Sequence, residues 1–184
     1  MRIVITGHKG QLGQALQHTL ADHDLLGIDL PEHNITDPRA ISDTIVDWQP
    51  DLVIHTAAMT DVDGCQQNPD IAFRVNTFGT HNVALAAARA GADLVHVSTN
   101  EVFDGRLGRP YYEWDMPSPL SVYARSKAGA EFYVRNLLNN YYIVRTSWVY
   151  ARGGSNFVTK IMAAADKHGA LRVVIDEISA PTYA

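Results

Sequence analysis

The stretch RIVITGHKGQLGQAL, residues 2–16, decides the fold. RIVIT is a short apolar run rich in β-branched residues, as a strand covered on both faces requires. Gly7, Gly10 and Gly13 follow it at once, and helical spacing begins at Gln11. Gly7 permits a tight turn, and Gly10 lets the backbone approach a pyrophosphate, whose charge is favoured at a helix N-terminus. Gly13 lets helix and strand pack closely. Three glycines alone also suit an ordinary strand–helix turn. Asp29, however, stands 16 residues after Gly13 at the end of the next apolar run, where a carboxylate meets an adenosine ribose 2′-hydroxyl. That pairing points to a bound dinucleotide and favours NAD, because Asp29 repels a 2′-phosphate. Asp29 also suits a plain strand-end cap. Lys9, inside the glycine loop, is a cation that a 2′-phosphate would meet, so NADH and NADPH both stay open.

Outward from this turn, short apolar runs alternate with longer amphipathic ones. Strands are expected at 2–6, 24–30, 51–57, 93–99, 141–150 and 171–175. Helices are expected at 11–22, 37–49, 68–91, 122–138 and 155–169, with Asp37 as an N-cap and Pro38 at the first helical position of the second. Strand–helix repetition with continuous apolar strands predicts an α/β fold: a Rossmann-type doubly wound parallel sheet with helices on both faces. DGRLGRPYYEWDMPSPLS, 104–121, reads as an irregular loop passing over the carboxyl ends of the strands. Residues 1–150 are expected to form the dinucleotide-binding domain, and 151–184 its last helix and strand with the start of a second lobe.

Composition narrows the function. Of 184 residues 46% are hydrophobic and 19% charged, as in ordinary globular proteins. Lys and Arg number 15 against 20 Asp and Glu, a net charge of −5, with no basic run for a nucleic acid. The single cysteine, Cys65, excludes an internal disulfide, suits a reducing cytoplasm and reads as a structural residue in a loop or helix start. No signal-peptide core opens the chain and no apolar run is long enough to span a membrane. The eight histidines show no ligand spacing, so no metal site is expected; His55 and His96 fall in strands and read as packed, hydrogen-bonded residues.

YARSK places Tyr123 and Lys127 four residues apart on one helix face. A phenol titrates near ~10 in water, and a neighbouring ammonium pulls that value down toward neutrality. A tyrosine beside a surface lysine has the same spacing. Thr99, at the end of a strand 24 residues earlier, adds a hydroxyl to the acid and the cation around one carbonyl.

With these residues the chain resembles the extended short-chain dehydrogenase/reductases and, within them, the dTDP-4-dehydrorhamnose reductase family. GHKGQLG, HTAAMTDVDGCQQNP, VNTFGTHNVA, STNEVFDG, PLSVYARSK, VRTSWVY and SAPTYA carry the resemblance across the whole chain. It implies Thr99, Tyr123 and Lys127 as the catalytic set, with Tyr123 and Lys127 also touching the cofactor. Gly7, Gly10, Gln11, Leu12 and Gly13 would hold its pyrophosphate; Asp29, Leu30, Asn34 and Ile35 its adenosine half; Ala57, Ala58 and Thr60 the groove beneath it. Thr60, Val62 and Trp148 fall where the family meets its nucleotide sugar, although Trp148 serves equally well as a core aromatic. Asn76 is expected to fix backbone near the site. The resemblance also implies a homodimer in some members, with magnesium at the dimer contact, for which no carboxylate cluster stands here. Family members are longer, so the substrate lobe is incomplete.

STNEVFDG, 98–105, chooses between reactions. Dehydratases of the superfamily carry Asp-Glu directly after the threonine, the Asp protonating a leaving hydroxyl. Asn100 occupies that place, and an amide has no proton to give. Glu101 alone is half of that mechanism and reads as a loop carboxylate. The expected reaction is therefore hydride transfer from NAD(P)H to the 4-keto group of a dTDP-4-keto-6-deoxyhexose. A non-catalytic NAD(P)-binding regulatory subunit or fragment is the alternative from another class, and a nucleotide-sugar epimerase or dehydratase the alternative among enzymes.

Overall fold

β1, Arg2–Thr6, sends Val4 to one face of a sheet and Ile3 and Ile5 to the other, all three inaccessible or nearly so. The computed structural model describes residues 1–151, 156–173 and 178–184. β2 (Asp24–Ile28), β3 (Leu52–His55), β4 (Asp93–Thr99) and β5 (Tyr141–Thr146) join β1 in one parallel sheet of order β2-β1-β3-β4-β5. Helices pack on both faces, one of which is only partly covered, leaving Tyr142 and Val144 of β5 exposed. α1, Gln11–Thr19, lies over Ile3, Ile5 and Ile54, with Leu16 packed there. α2 (Pro38–Trp48), α5 (Thr80–Ala90) and α6 (Val122–Leu137) cover the other face, where Ile41, Ile45, Val83, Ala84 and Val134 meet Val4, Val53 and Leu94. Each such aliphatic side chain adds about 1.5–3 kcal/mol when taken fully from water. Helices on both faces make this the expected doubly wound fold. The strand that flanks β2 in the six-stranded Rossmann order is absent among the described residues.

Local chemistry sets the helix starts. Asp37 Oδ1 accepts from the N–H groups of Arg39 and Ala40, at 3.0 and 3.1 Å, and Pro38 supplies the first helical φ of α2. Ser121 Oγ accepts from Ala124 N at 3.0 Å and starts α6. The helix expected at 68–91 is composite: α4 (Pro69–Ala72), a π-helical stretch Phe73–Gly79, then α5, which ends on Gly91 at φ 71. Cys65 is buried within α3, Val62–Gln67.

Two expectations need correction. The strand expected at 141–150 breaks at Trp148, whose φ is 45; β6 (Val149–Tyr150) then leaves the main sheet and pairs with β7 (Thr182–Tyr183). Of the strand expected at 171–175, residues 171–173 form no strand, and Val174 and Ile175 lie outside the described residues, as does Ser155 of the helix that begins as α7, Phe157–His168. The 104–121 loop is irregular but folds on itself. Phe103 stacks on Tyr111 at 4.1 Å, the Tyr111 hydroxyl donates to Asp104, and Arg109 donates through two nitrogens to Asp115. No helix among the described residues is long and apolar enough to cross a membrane.

The sheet order locates the place for a ligand. From β1 the chain steps outward to β2, then crosses to β3 on the opposite side, so a crevice opens beyond the carboxyl ends of β1 and β3. Register sets Thr6 beside both Ile28 and His55, which brings the turns after β1, β2 and β3 together.

Candidate active site

A cavity of about 710 Å³ occupies that crevice and runs along the carboxyl ends of all five strands. Every residue expected at the site lines it, from Gly7 at one end to Tyr123, Lys127 and Trp148 at the other. No residue of 103–121 does.

The glycine turn is built for close approach. Gly7 has φ 73, and a Cβ there would stand 2.7 Å from Ala57 N. A Cβ on Gly13 would meet Gly7 O at 2.3 Å, closer than any real contact. Helix α1 starts at Gly10 with no side-chain cap, so its first N–H groups face the cavity as a partial positive charge. This bare cradle fits a pyrophosphate.

At the adenosine end, Asp29 Oδ2 accepts from Lys9 N at 2.9 Å and Oδ1 from Leu30 N at 2.8 Å. The carboxylate therefore ties the end of β2 to the glycine loop while still lining the cavity. Lys9 does not reach into the cavity as a free cation: its ammonium donates to Leu30 O and to Glu32, each at 2.7 Å. Asn34 Oδ1 accepts from Thr36 N and Oγ1, and Ile35 is buried against α5's neighbour Gly79.

Beneath the crevice, Thr56 Oγ1 donates to Thr6 O at 2.7 Å and fixes the start of the 56–60 segment. Asn76 holds its far end, accepting from Met59 N at 2.7 Å and donating to Met59 O at 3.0 Å and Ser126 Oγ at 2.9 Å. This buried amide couples the groove of Ala57, Ala58 and Thr60 to α6, which carries Tyr123 and Lys127. The π-helical turn widens the backbone there and aims the amide outward from its helix.

At the other end, β4 delivers Thr99, 5% exposed, beside Tyr123. Burial pushes the Tyr123 phenol up to about 12; the Thr99 hydroxyl opposes this, and the Glu101 and Cys65 charges add to it. The expected downward pull of Lys127 is not realised. Its ammonium instead donates to Val97 O at 2.7 Å and faces His96 Nε2 at 3.5 Å. Burial lowers Lys127 itself to about 8, only partly opposed by Glu131. An ammonium is a donor only, so His96 Nε2 stands as acceptor and the His96 proton sits on Nδ1, a buried atom without a partner among the described residues.

His55 shows the same logic. Thr80 Oγ1 gives its one proton to Asn76 O at 2.6 Å, so it accepts from His55 Nε2 at 2.9 Å. His55 Nδ1 then accepts from Thr6 Oγ1 at 2.6 Å. The ring is neutral, with burial and the Lys127 charge lowering its pKa to about 3. Both histidines are packed and hydrogen-bonded in the core under the site, stacked at 5.3 Å.

Trp148 lines the cavity, is about half exposed and stacks on Phe157 at 5.9 Å, so it is no core residue. Thr60 and Val62 line the same end. Glu101, read above as a loop carboxylate, faces the cavity, accepts from Ser121 Oγ at 3.3 Å and bears on Tyr123. Sequence reasoning also missed Gln11 as a link: its amide donates to Val149 O at 3.0 Å and accepts from Asn156 at 3.2 Å, joining the glycine turn to β6 and α7. Nothing in the spacing of 11, 149 and 156 signals that. Among the described residues no three His, Cys, Asp or Glu gather to hold a metal ion.

Comparison with known proteins points to one family. The chain is 39% identical over 184 residues to the spore coat polysaccharide biosynthesis protein SpsK of Bacillus subtilis, covering 99% of this chain and 65% of that protein. It is 40% identical to a dTDP-4-dehydrorhamnose reductase of Sinorhizobium fredii, covering 100% of this chain and 62% of the relative. The chain thus spans a little under two thirds of these relatives. A crystal structure of dTDP-4-dehydrorhamnose reductase from Bacillus anthracis in complex with NADP superposes with a TM-score of 0.93 at 38% identity, over 99% of this chain and 66% of that one. The family model described as RmlD substrate binding domain matches residues 1–184. Because that match leaves no residue of the chain outside it, the chain belongs to the RmlD substrate-binding-domain family.

Proposed function

We propose that this chain is the cofactor-binding and proton-donating part of a reductase that acts on the 4-keto group of a dTDP-4-keto-6-deoxyhexose, with NADH or NADPH as reductant. The observation that carries this reading is the convergence of the uncapped glycine turn with Thr99 and Tyr123 in one cavity. The relatives named dTDP-4-dehydrorhamnose reductase support the substrate class.

Gly7, Gly10, Gln11, Leu12 and Gly13 hold the pyrophosphate, Asp29, Leu30, Asn34 and Ile35 the adenosine half, and Ala57, Ala58 and Thr60 the floor. When bound, the reduced nicotinamide supplies a hydride to carbon 4 of the sugar. Tyr123 holds a proton at Oη, and its raised pKa keeps that proton in place throughout the neutral range. It gives the proton up only to a stronger base, the alkoxide that forms as the carbonyl takes the hydride. Thr99 Oγ1 hydrogen-bonds the same oxygen and stabilises the developing charge. Lys127, anchored on Val97 O, turns a remaining N–H donor to the nicotinamide ribose. Thr60, Val62 and Trp148 meet the sugar, and β6 and β7 form the first sheet of the lobe that encloses it. Asn100 leaves the elimination route without its acid.

Mixing the protein with NADPH and a dTDP-4-keto-6-deoxyhexose while following the absorbance of the reduced cofactor tests the reading. Oxidation that depends on the sugar supports it. Tight cofactor binding without oxidation rejects it in favour of a non-catalytic NAD(P)-binding regulatory subunit or fragment.

A further inference from the structure

We propose that the Glu32–Lys9 ion pair at the adenosine end of the cavity sets the choice between the two forms of the nicotinamide cofactor. Glu32 holds Lys9 when the ribose carries a free 2′-hydroxyl and releases it to a 2′-phosphate. The inference rests on the cofactor reading above and names the residue that tunes it.

Three observations place the pair beside Asp29, the residue suited to the ribose 2′-hydroxyl. Asp29, the carboxylate suited to a 2′-hydroxyl, accepts its hydrogen bond from the backbone N–H of Lys9 itself. The Lys9 ammonium reaches forward from that residue to Leu30 O, within the same turn, and to Glu32 Oε2. Lys9, Asp29, Leu30 and His33 all line this end of the cavity. A 2′-phosphate arriving there meets the Asp29 carboxylate and the Lys9 ammonium, which Glu32, just outside the lining, already holds.

The pair is built to yield. Both side chains are substantially exposed, at 47% and 61%. An exposed pair of this kind is weak, weaker than a charge-assisted hydrogen bond to a dianion. Its hold still acts on the Glu32 carboxyl, which the Lys9 hydrogen bond keeps below its ordinary range. Asp29 supplies the fixed preference for a hydroxyl, while Glu32 decides how far Lys9 offsets it.

Titrating NADH and NADPH separately into the wild-type chain, Glu32→Gln, Lys9→Gln and the double variant tests this, with the ratio of the two affinities as readout. Glu32→Gln is expected to shift the ratio toward NADPH by about two- to fivefold, because Lys9 becomes free. Lys9→Gln is expected to shift it the other way. In the double variant the Glu32→Gln gain is expected to vanish, since Glu32 acts through Lys9. A gain that persists at full size without Lys9 overturns the inference, showing Glu32 to be a bare repelling charge. An unchanged ratio in Glu32→Gln, with both cofactors still bound, overturns it as well. If the wild type binds neither cofactor, the cofactor reading itself falls and carries this inference with it.

Discussion

Burial acts on His55 and Tyr123 in opposite directions on the pKa and in the same direction on the chemistry: each stays neutral. For Tyr123 this was only partly legible in the sequence, because a four-residue spacing gives the helix face of Lys127 but not its ammonium's partner, Val97 O. His55, with a pKa near 3 in the fold and about 6.5 in the unfolded chain, makes a defined contribution to stability. Between those values the unfolded chain binds the proton and the folded one does not. Stability therefore rises with pH across the window and is lost as pH falls from about 6.5 toward 3. His96, lowered in the same direction, adds to the slope. Chemical denaturation between about pH 7 and 5 is expected to show His55→Gln with a shallower pH slope than the wild type. Equal slopes would contradict a neutral, buried His55.

At the scale of the element, glycines of similar appearance separate by their surroundings. Gly13→Ala puts a methyl group 2.3 Å from Gly7 O, a backbone atom that cannot swing aside. It is expected to cost more than about 2 kcal/mol and to abolish cofactor binding. Gly91→Ala meets nothing within 4 Å but must hold φ 71, a left-handed geometry that costs about 1–2 kcal/mol for a residue with a Cβ. It is expected to lower the melting temperature while leaving cofactor affinity within about twofold. Melting curves and NADPH titration on both variants check the contrast. β1, the glycine turn and α2 were legible because local signals agree with long-range packing: an apolar run, a triplet of glycines, an Asp-Pro start. The break at Trp148 was not legible. Its cause is the pairing of Val149 and Tyr150 with Thr182 and Tyr183, more than thirty positions away and invisible to any local pattern. The loop 104–121 was legible as irregular from its Gly and Pro, but its path depends on ring stacks and one Arg–Asp pair.

For the molecule as a whole, the parallel sheet, the reversal between β1 and β3 and the cavity above it follow from alternating strands and helices. The sheet face on the α1 side is covered around β1–β3, where Leu16 and Leu20 pack, but Tyr142 and Val144 on β5 remain open to solvent at 61% and 43%. A cofactor lying across the carboxyl ends of all five strands would bind only the folded sheet and so stabilise it. Saturating NADPH, about 100 times its Kd, is expected to add about 2.7 kcal/mol and to raise the melting temperature by about 5–10 °C. No shift at that concentration would count against the cavity as a dinucleotide site.

The most direct test compares the wild type with Tyr123→Phe in the sugar-dependent oxidation of NADPH, alongside NADPH affinity for each. Thr99→Val, which keeps the acid and removes only the second hydroxyl, serves as the reference and is expected to lose less. Loss of the Oη proton in Tyr123→Phe is expected to lower turnover by about 10²–10⁴-fold while NADPH affinity stays within about threefold. Turnover by Tyr123→Phe close to that of the wild type would contradict the role of this phenol as the proton donor.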